Sequence, residues 1–179
     1  MGGGPTFQYG DMFQTAWNQP GTLFVVTGNS YINLRGQLVM GRGAAKALSE
    51  RVHGIARMFG DLVREVPEDY YLLRVPVHTV KECLGHWCRV FCDVGLLQVK
   101  RHFRDVGDTA LIKEGVTRLA SFAKDNPTQA IHMNMPGIGW GRLSERTVLP
   151  LLADLPKNVN VWRYSYQAPY TPYCGQGWA

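Results

Sequence analysis

The chain alternates short apolar runs rich in β-branched residues with stretches in which apolar residues recur every three or four positions. "GTLFVVTGN" (21–29) is bounded by glycines and predicts a buried strand leading into a loop. From Gly43 the spacing becomes helical, with Ala44, Ala47, Leu48, Val52, Ile55, Ala56 and Phe59 on one stripe. "YYLLRVPV" (70–77) and "RVFCDVGLLQVK" (89–100) predict strands, the second as a pair broken at Asp93 to Gly95. "DTALIKEGVTRLASFAKDN" (108–126) predicts a helix. Asp108 is its N-cap, Leu111, Ile112, Gly115, Leu119 and Phe122 form its apolar face, and Asn126-Pro127 stops it. "QAIHMNM" (129–135) predicts a strand and "VNVWRY" (159–164) the last one. Between them "SERTVLPLLADL" (144–155) predicts a helix that Pro150, with no N–H to donate, kinks or restarts.

Strands alternating with helices predict an α/β layered fold, a mostly parallel sheet covered on both faces. We place a single domain at 7–165, followed by a Pro/Tyr/Gly-rich tail at 166–179 that is read as irregular chain. A length of 179 residues suits one core. Hydrophobic content of 45% with 18% charged residues is globular, and no apolar run approaches the roughly 20 residues of a spanning helix. A membrane protein is therefore not expected. The opening "MGGGPTFQYG" lacks a basic region followed by an apolar one, so the expected location is cytoplasmic. Gly2 and Thr6 fit a myristoylation pattern formally, but Pro5 and the absence of neighbouring basic residues argue against it.

A net charge of +5 favours anionic partners, either nucleic acid or a phosphate-bearing ligand. The four cysteines are read as free thiols. Cys83, His86, Cys88 and Cys92 cluster in "CLGHWCRVFC", but their spacings do not match paired zinc knuckles, and alternating residues of one strand account for them. No metal and no cofactor are expected.

Two strand-to-helix junctions are glycine-rich: "VMGRGAAKAL" enters the first helix and "MPGIGWGRLSER" the last. Both are placed to aim backbone N–H groups and a helix amino end at phosphate; turn chemistry alone is the alternative. Neither loop ends in Gly-Lys-Ser/Thr, and neither has the dinucleotide fingerprint. Two separated glycine loops suit a bent diphosphate gripped from both sides.

These residues resemble the macrodomain family, whose members bind ADP-ribose. The resemblance runs from about residue 9 to 164 and implies a three-layer α/β/α sandwich with a mixed, mostly parallel central sheet. "VVTGNSY" and "VMGRGAAKAL" look like the family's first element, which implies that Asn29 touches the distal ribose. Met40, Gly41, Arg42, Gly43 and Ala44 would then line the diphosphate and ribose. "IHMNMPGIGWGRL" is similar to the second element, with Pro136, Gly137, Ile138, Gly139, Trp140 and Gly141 around the diphosphate and distal ribose. "YGDMF" (9–13) is similar to the opening Gly-Asp turn, which places Asp11 and Met12 near adenine.

"LLQVKRHFRDVGDTALIKEGVTRLASFA" is similar to a stretch of the macrodomains that remove ADP-ribose from thymidine in DNA, and of the related terminal ADP-ribose glycohydrolase. Lys100 matches their catalytic lysine, with His102, Phe103 and Arg104 continuing the match. That resemblance implies Lys100 as a nucleophile toward the anomeric carbon of the distal ribose, or a stabiliser of the opened ring. Either burial or a neighbouring cation must lower the pKa of such a lysine, and Arg101 and His102 are the neighbours in sequence.

The chain departs from the family in three places. Arg142-Leu143-Ser144 follows the glycine loop where an acid is usual, leaving Glu145 as the nearest carboxylate; stabilising its own helix is its competing role. The aspartate that many macrodomains carry seven residues before the asparagine falls on Thr22, so adenine recognition shifts to Asp11. The stretch between Asn29 and Met40 is longer than a tight loop requires and is expected to rim the site. Phe103 and Trp140 are read either as core or as residues over the ligand.

Three readings follow: a hydrolase removing ADP-ribose from a nucleic-acid base or protein acid; a non-catalytic binder of ADP-ribose or a related nucleotide signal; and a phosphatase on ADP-ribose phosphorylated at its distal ribose. The expected partner is ADP-ribose or an ADP-ribosylated macromolecule, nucleic acid included, and the expected state is a monomer.

Overall fold

The structure is a computed structural model that describes residues 3–17, 19–83 and 86–163, with backbone alone at 79–83, 86–88 and 90. Six strands form one sheet in the order β1-β6-β5-β2-β4-β3. They are β1 (Thr6–Tyr9), β2 (Leu23–Gly28), β3 (Leu72–Cys83), β4 (His86–Gln98), β5 (Ile131–Asn134) and β6 (Val159–Arg163). All neighbouring pairs are parallel except β3 with β4.

Alternation along each strand divides the core between two faces. In β2, Phe24 and Val26 face one layer and Leu23 and Val25 the other. The first layer holds α1 (Met12–Thr15), α2 (Gly43–Arg51) and α3 (Ile55–Glu65), with Leu48, Ile55 and Phe59 fully buried. The second holds α4 (Thr109–Asp125) and the one-turn α5 (Glu145–Val148). Helix α4 buries Leu111, Ile112, Gly115, Val116, Leu119, Ala120 and Ala123, the three- and four-residue spacing seen in the sequence. The Asp108 carboxylate accepts the N–H groups of Ala110 at 2.8 Å and Leu111 at 3.3 Å, so the predicted cap is made.

Three elements differ from expectation. The stripe from Ala44 to Phe59 is two helices, because Gly54 adopts φ +80 and restarts the chain as α3. The predicted break at Asp93 to Gly95 is absent: β4 runs unbroken. Its first half pairs only with β3, and from Asp93 onward β2 joins its other edge, so the change in residue pattern marks where a two-stranded ribbon enters the sheet. The Cys/His cluster consequently straddles a hairpin, with Cys83 on β3 and His86, Cys88 and Cys92 on β4, rather than lying on one strand. Of those four, Cys92 has a described side chain, which is buried and unbridged, its thiol pushed up to about 11 by burial and then by Asp93. At 144–155 the chain makes α5 and then a 3-10 turn, Leu149–Leu152, around Pro150. The tail at 166–179 lies outside the described residues. No helix among the described residues is long and apolar enough to cross a membrane.

The stretch between Asn29 and Met40 is a folded loop. Ile32 bridges Leu38, and the backbone of Gly36 to Leu38 packs on α3 at Gly60, where a Cβ would come within 2.3 Å of the Gly36 carbonyl. Only glycine admits that approach, and it fixes the loop beside the carboxyl ends of the strands.

Candidate functional site

Parallel strands deliver their carboxyl ends to one edge of the sheet, where loops pass into helices. Asn29 follows β2, Lys100 follows β4, and the loop from Met135 to Gly141 follows β5. Asn29 is 6% exposed: its Nδ2 donates to the Val39 carbonyl at 2.9 Å and its Oδ1 accepts the Tyr31 N–H at 2.9 Å. The side chain thus ties both ends of its own loop. The buried Tyr70 hydroxyl donates to the Asn29 carbonyl at 2.9 Å, and burial, with Asp69 adding to it, holds that phenol well above its usual pKa.

Lys100 is 8% exposed. Its Nζ donates to the Asp105 carbonyl at 3.1 Å and to the Trp140 carbonyl at 3.0 Å, bonding the end of β4 to the glycine loop. Burial lowers its pKa, Arg142 lowers it further, Asp105 opposes, and Arg42 lowers it again. The sequence neighbours Arg101 and His102 are not the cause. Arg101 is committed to Asp69 at 2.6 Å and Asp108 at 3.2 Å, and the Tyr31 ring packs on His102. Cations distant in sequence act on Lys100 because the fold brings them within Coulombic reach of a partly desolvated amine.

The glycine loop closes on itself. Gly137 has φ +72, and a Cβ there would lie 2.7 Å from Leu143 and 2.9 Å from Ile112, so both conformation and space demand glycine. The Leu143 N–H bonds the Gly137 carbonyl at 2.9 Å, and the Gly107 N–H bonds the Gly141 carbonyl at 2.8 Å. Gly139–Gly141 form a 3-10 turn that exposes Trp140 to 49%. The Arg42 guanidinium lies 4.0 Å from the Trp140 ring centre, a cation–π contact that joins the two glycine loops. Arg42 gives α2 no side-chain capping bond, so the amino end of that helix faces this junction with backbone donors.

A second group lies at the ends of β1 and β6. Asp11 caps α1 through the Phe13 N–H at 2.8 Å. Glu145, the first residue of α5, pairs with Arg163 at 3.7 Å; Arg163 also donates to the Tyr9 hydroxyl at 3.0 Å, and its buried Nε makes no hydrogen bond. The Gly10 N–H donates to the Arg163 carbonyl at 2.8 Å, which sets Asp11 beside this pair.

A scan against protein-family models and a search of curated proteins find no match. Solved structures do match. Thermosipho africanus DarTG in complex with ADP-ribose superimposes with TM-score 0.64 at 17% identity, over 93% of this chain and 43% of that one. The macrodomain of Mycobacterium tuberculosis DarG gives 0.63 at 20% identity, over 92% and 100%. The macrodomain of Thermus aquaticus DarG gives 0.61 at 18% identity, over 90% and 97%. The fold is that of a macrodomain. The chain spans less than half of the DarTG structure, at 43%.

On this macrodomain scaffold the sequence-selected residues fall into two sets. Lys100, Arg42, Gly43 and the loop from Pro136 to Gly141 converge, with Asn29 at the base of the neighbouring loop. Asp11 and Glu145 belong to the group around Arg163. Met12, Met40 and Ala44 are core residues, 2%, 6% and 8% exposed, so their side chains are spent on packing. Thr22 immediately precedes β2, at the opposite end of that strand from Asn29, its hydroxyl donating to the Gln19 carbonyl at 2.6 Å. Trp140 and Phe103 are exposed rather than core. Arg142 and Asp105 were not selected from the sequence. Both sit in loops whose approach to Lys100 depends on tertiary contacts, and in the sequence Arg142 stands out only as the residue where an acid is usual.

Proposed function

We propose that this macrodomain binds ADP-ribose across the two glycine loops and acts as an ADP-ribosyl glycohydrolase, releasing ADP-ribose from a nucleic-acid base or protein acid. The observation that carries the reading is Lys100: a buried amine at a strand end, bonded to the glycine loop and held toward its neutral form by burial and two arginines. In the proposed step the Nζ lone pair forms a bond to the anomeric carbon of the distal ribose, and the bond to the acceptor breaks with its electron pair leaving on the acceptor. A water oxygen then bonds to the anomeric carbon as the C–Nζ bond breaks with its electron pair returning to Nζ, and the proton shed by the amine reaches the departed acceptor through solvent. Arg42 and the amino end of α2 face the diphosphate, Gly137 to Gly141 close over it, and Asn29 orients the distal ribose through its remaining hydrogen-bonding capacity. Asp11, which caps α1 through the Phe13 N–H, serves adenine.

A non-catalytic binder is the second reading. It is favoured by Glu145, whose carboxylate is paired with Arg163 and not with Lys100, leaving proton transfer to the acceptor without a dedicated acid. Calorimetric titration of ADP-ribose, with turnover assays on ADP-ribosylated single-stranded DNA and an ADP-ribosylated glutamyl peptide, separates the two. The hydrolase reading expects turnover in the parent and its loss in Lys100→Ala, with ADP-ribose affinity retained. Tight binding without turnover on either substrate selects the binder, and absence of binding removes both.

A further inference from the structure

The chain enters β3 through a strained turn. Tyr71 has φ +56, and the Leu72 N–H donates back across it to the Tyr70 carbonyl at 2.6 Å, a γ-turn of the rare hand. A residue with a Cβ resists that backbone region, so the conformation persists where the surroundings impose it. Among the described residues the other non-glycine residue with positive φ is Arg142, in the loop beside Lys100. Strain of this kind collects where a fold must aim a group.

Gln98 imposes the turn. It is fully buried at the end of β4, and its Oε1 accepts the N–H groups of Tyr70 at 2.9 Å and Tyr71 at 3.2 Å. Its own N–H donates to the Tyr71 carbonyl at 2.8 Å, and its Nε2 donates to Asp69 at 2.8 Å. The far side is closed by α4, where a Cβ on Gly115 would lie 2.9 Å from the Tyr71 carbonyl. The turn sends one group to each strand exit. The Tyr70 hydroxyl donates to the Asn29 carbonyl at 2.9 Å after β2, and Asp69 accepts Arg101 at 2.6 Å after β4, one residue beyond Lys100. The two exits are also joined directly, the Ser30 N–H donating to the Arg101 carbonyl at 3.0 Å.

We propose that Tyr70 is a positioning residue for the distal ribose: its hydroxyl fixes the Asn29 carbonyl, and with it the Asn29 side chain, relative to Lys100, and the strained turn at Tyr71 sets that hydroxyl in place. The inference rests on the reading in which Asn29 orients the distal ribose. Tyr70 is 2% exposed, so it acts through Asn29 and not on a ligand. A buried donor and acceptor that part are both left unsatisfied, which confines the Asn29 carbonyl. The Asn29 side chain is bonded to Val39 and Tyr31 within its own loop, and Tyr70 supplies the bond that comes from outside that loop. Without it the loop keeps its internal bonds but loses its register against the end of β4, and a small misplacement of an orienting group is costly.

Calorimetric titration with ADP-ribose and with ADP, which lacks the distal ribose, tests the proposal. The parent should bind ADP-ribose more tightly than ADP. Tyr70→Phe keeps the buried ring and removes one oxygen; it should weaken ADP-ribose binding about fivefold and leave ADP within about twofold of the parent. In an Asn29→Ala background, adding Tyr70→Phe should cost nothing further, because the contact it positions is gone. A merely structural role for Tyr70 would weaken both ligands alike and add in full to Asn29→Ala. Either result overturns the proposal, as does unchanged ADP-ribose affinity in Tyr70→Phe. The parent measurement judges the reading beneath it: no ADP-ribose binding, or equal affinity for ADP, removes the ribose role of Asn29 and the role of Tyr70 with it. Selectivity in the parent together with any of the overturning results in the variants rejects the positioning role alone.

Discussion

Among the described residues, Lys100 is a buried amine without a carboxylate hydrogen bond. Both of its acceptors are backbone carbonyls, which hold the group in place while two arginines oppose its charge. Arg142→Ala removes a positive neighbour, raises the pKa of Lys100, and should move the alkaline-rising limb of any turnover profile to higher pH. Asp105→Asn removes the opposing negative charge and should move it lower. Opposite displacements of the two pH–rate profiles check the assignment. His132 behaves differently, for it is 8% exposed, stacked on Phe24 at 5.2 Å, and accepts the Trp162 indole N–H at 3.0 Å on Nδ1. Burial lowers its pKa below the ordinary 6.5. Above 6.5 both states are neutral and His132 adds no pH dependence; below it the unfolded imidazole takes up a proton that the folded one resists. Stability should therefore fall as the pH drops through and below that value. His132→Gln should lose this part of the slope in denaturant titrations at stepped pH.

At the scale of elements, the glycine loop tests whether conformation or space governs. Gly139 has φ +65 with open space around its would-be Cβ, whereas Gly137 has φ +72 and would press Leu143 and Ile112. Gly139→Ala should cost about 1 kcal/mol from backbone strain alone, and Gly137→Ala about 3 kcal/mol from strain and overpacking together. Chemical denaturation reads the difference, and ADP-ribose titration should show the larger loss at Gly137. At the other loop, Asp108→Ala removes the cap of α4 and should cost about 1 kcal/mol, lowering Tm by about 2–4 °C. The elements most legible in the sequence are those where local chemistry and burial agree. Helix α4 has a capping acid, a continuous apolar face and a stop. The stripe from Ala44 to Phe59 misled because periodicity survives a break of three residues, while the turn at Gly54 is set by one backbone angle.

The whole molecule is one sheet with two cores. Phe59 lies in one and Leu119 in the other, both fully buried. Because β2 and β4 contribute alternate residues to both faces, loss of either layer exposes the same strands, and unfolding should be a single cooperative transition. Phe59→Ala and Leu119→Ala should each cost about 3 kcal/mol, and the double variant should equal their sum within about 0.5 kcal/mol. Two separate transitions in a calorimetric scan would contradict this.

The sequence by itself determined what depends on neighbours along the chain: the buried strands, the capped helix α4, and glycine loops at the exits of β2 and β5 where parallel strands place a ligand. Tertiary structure alone decided what depends on distance in space. It moved control of Lys100 from the adjacent Arg101 and His102 to Arg142 and Arg42, paired Glu145 with Arg163, and sent Thr22 to the far pole. It also assembled Tyr31 with His102 and Phe103 across two loops. Charge and ring contacts act over a few ångströms without regard to sequence separation, and the crossings of the fold set which residues come within that range.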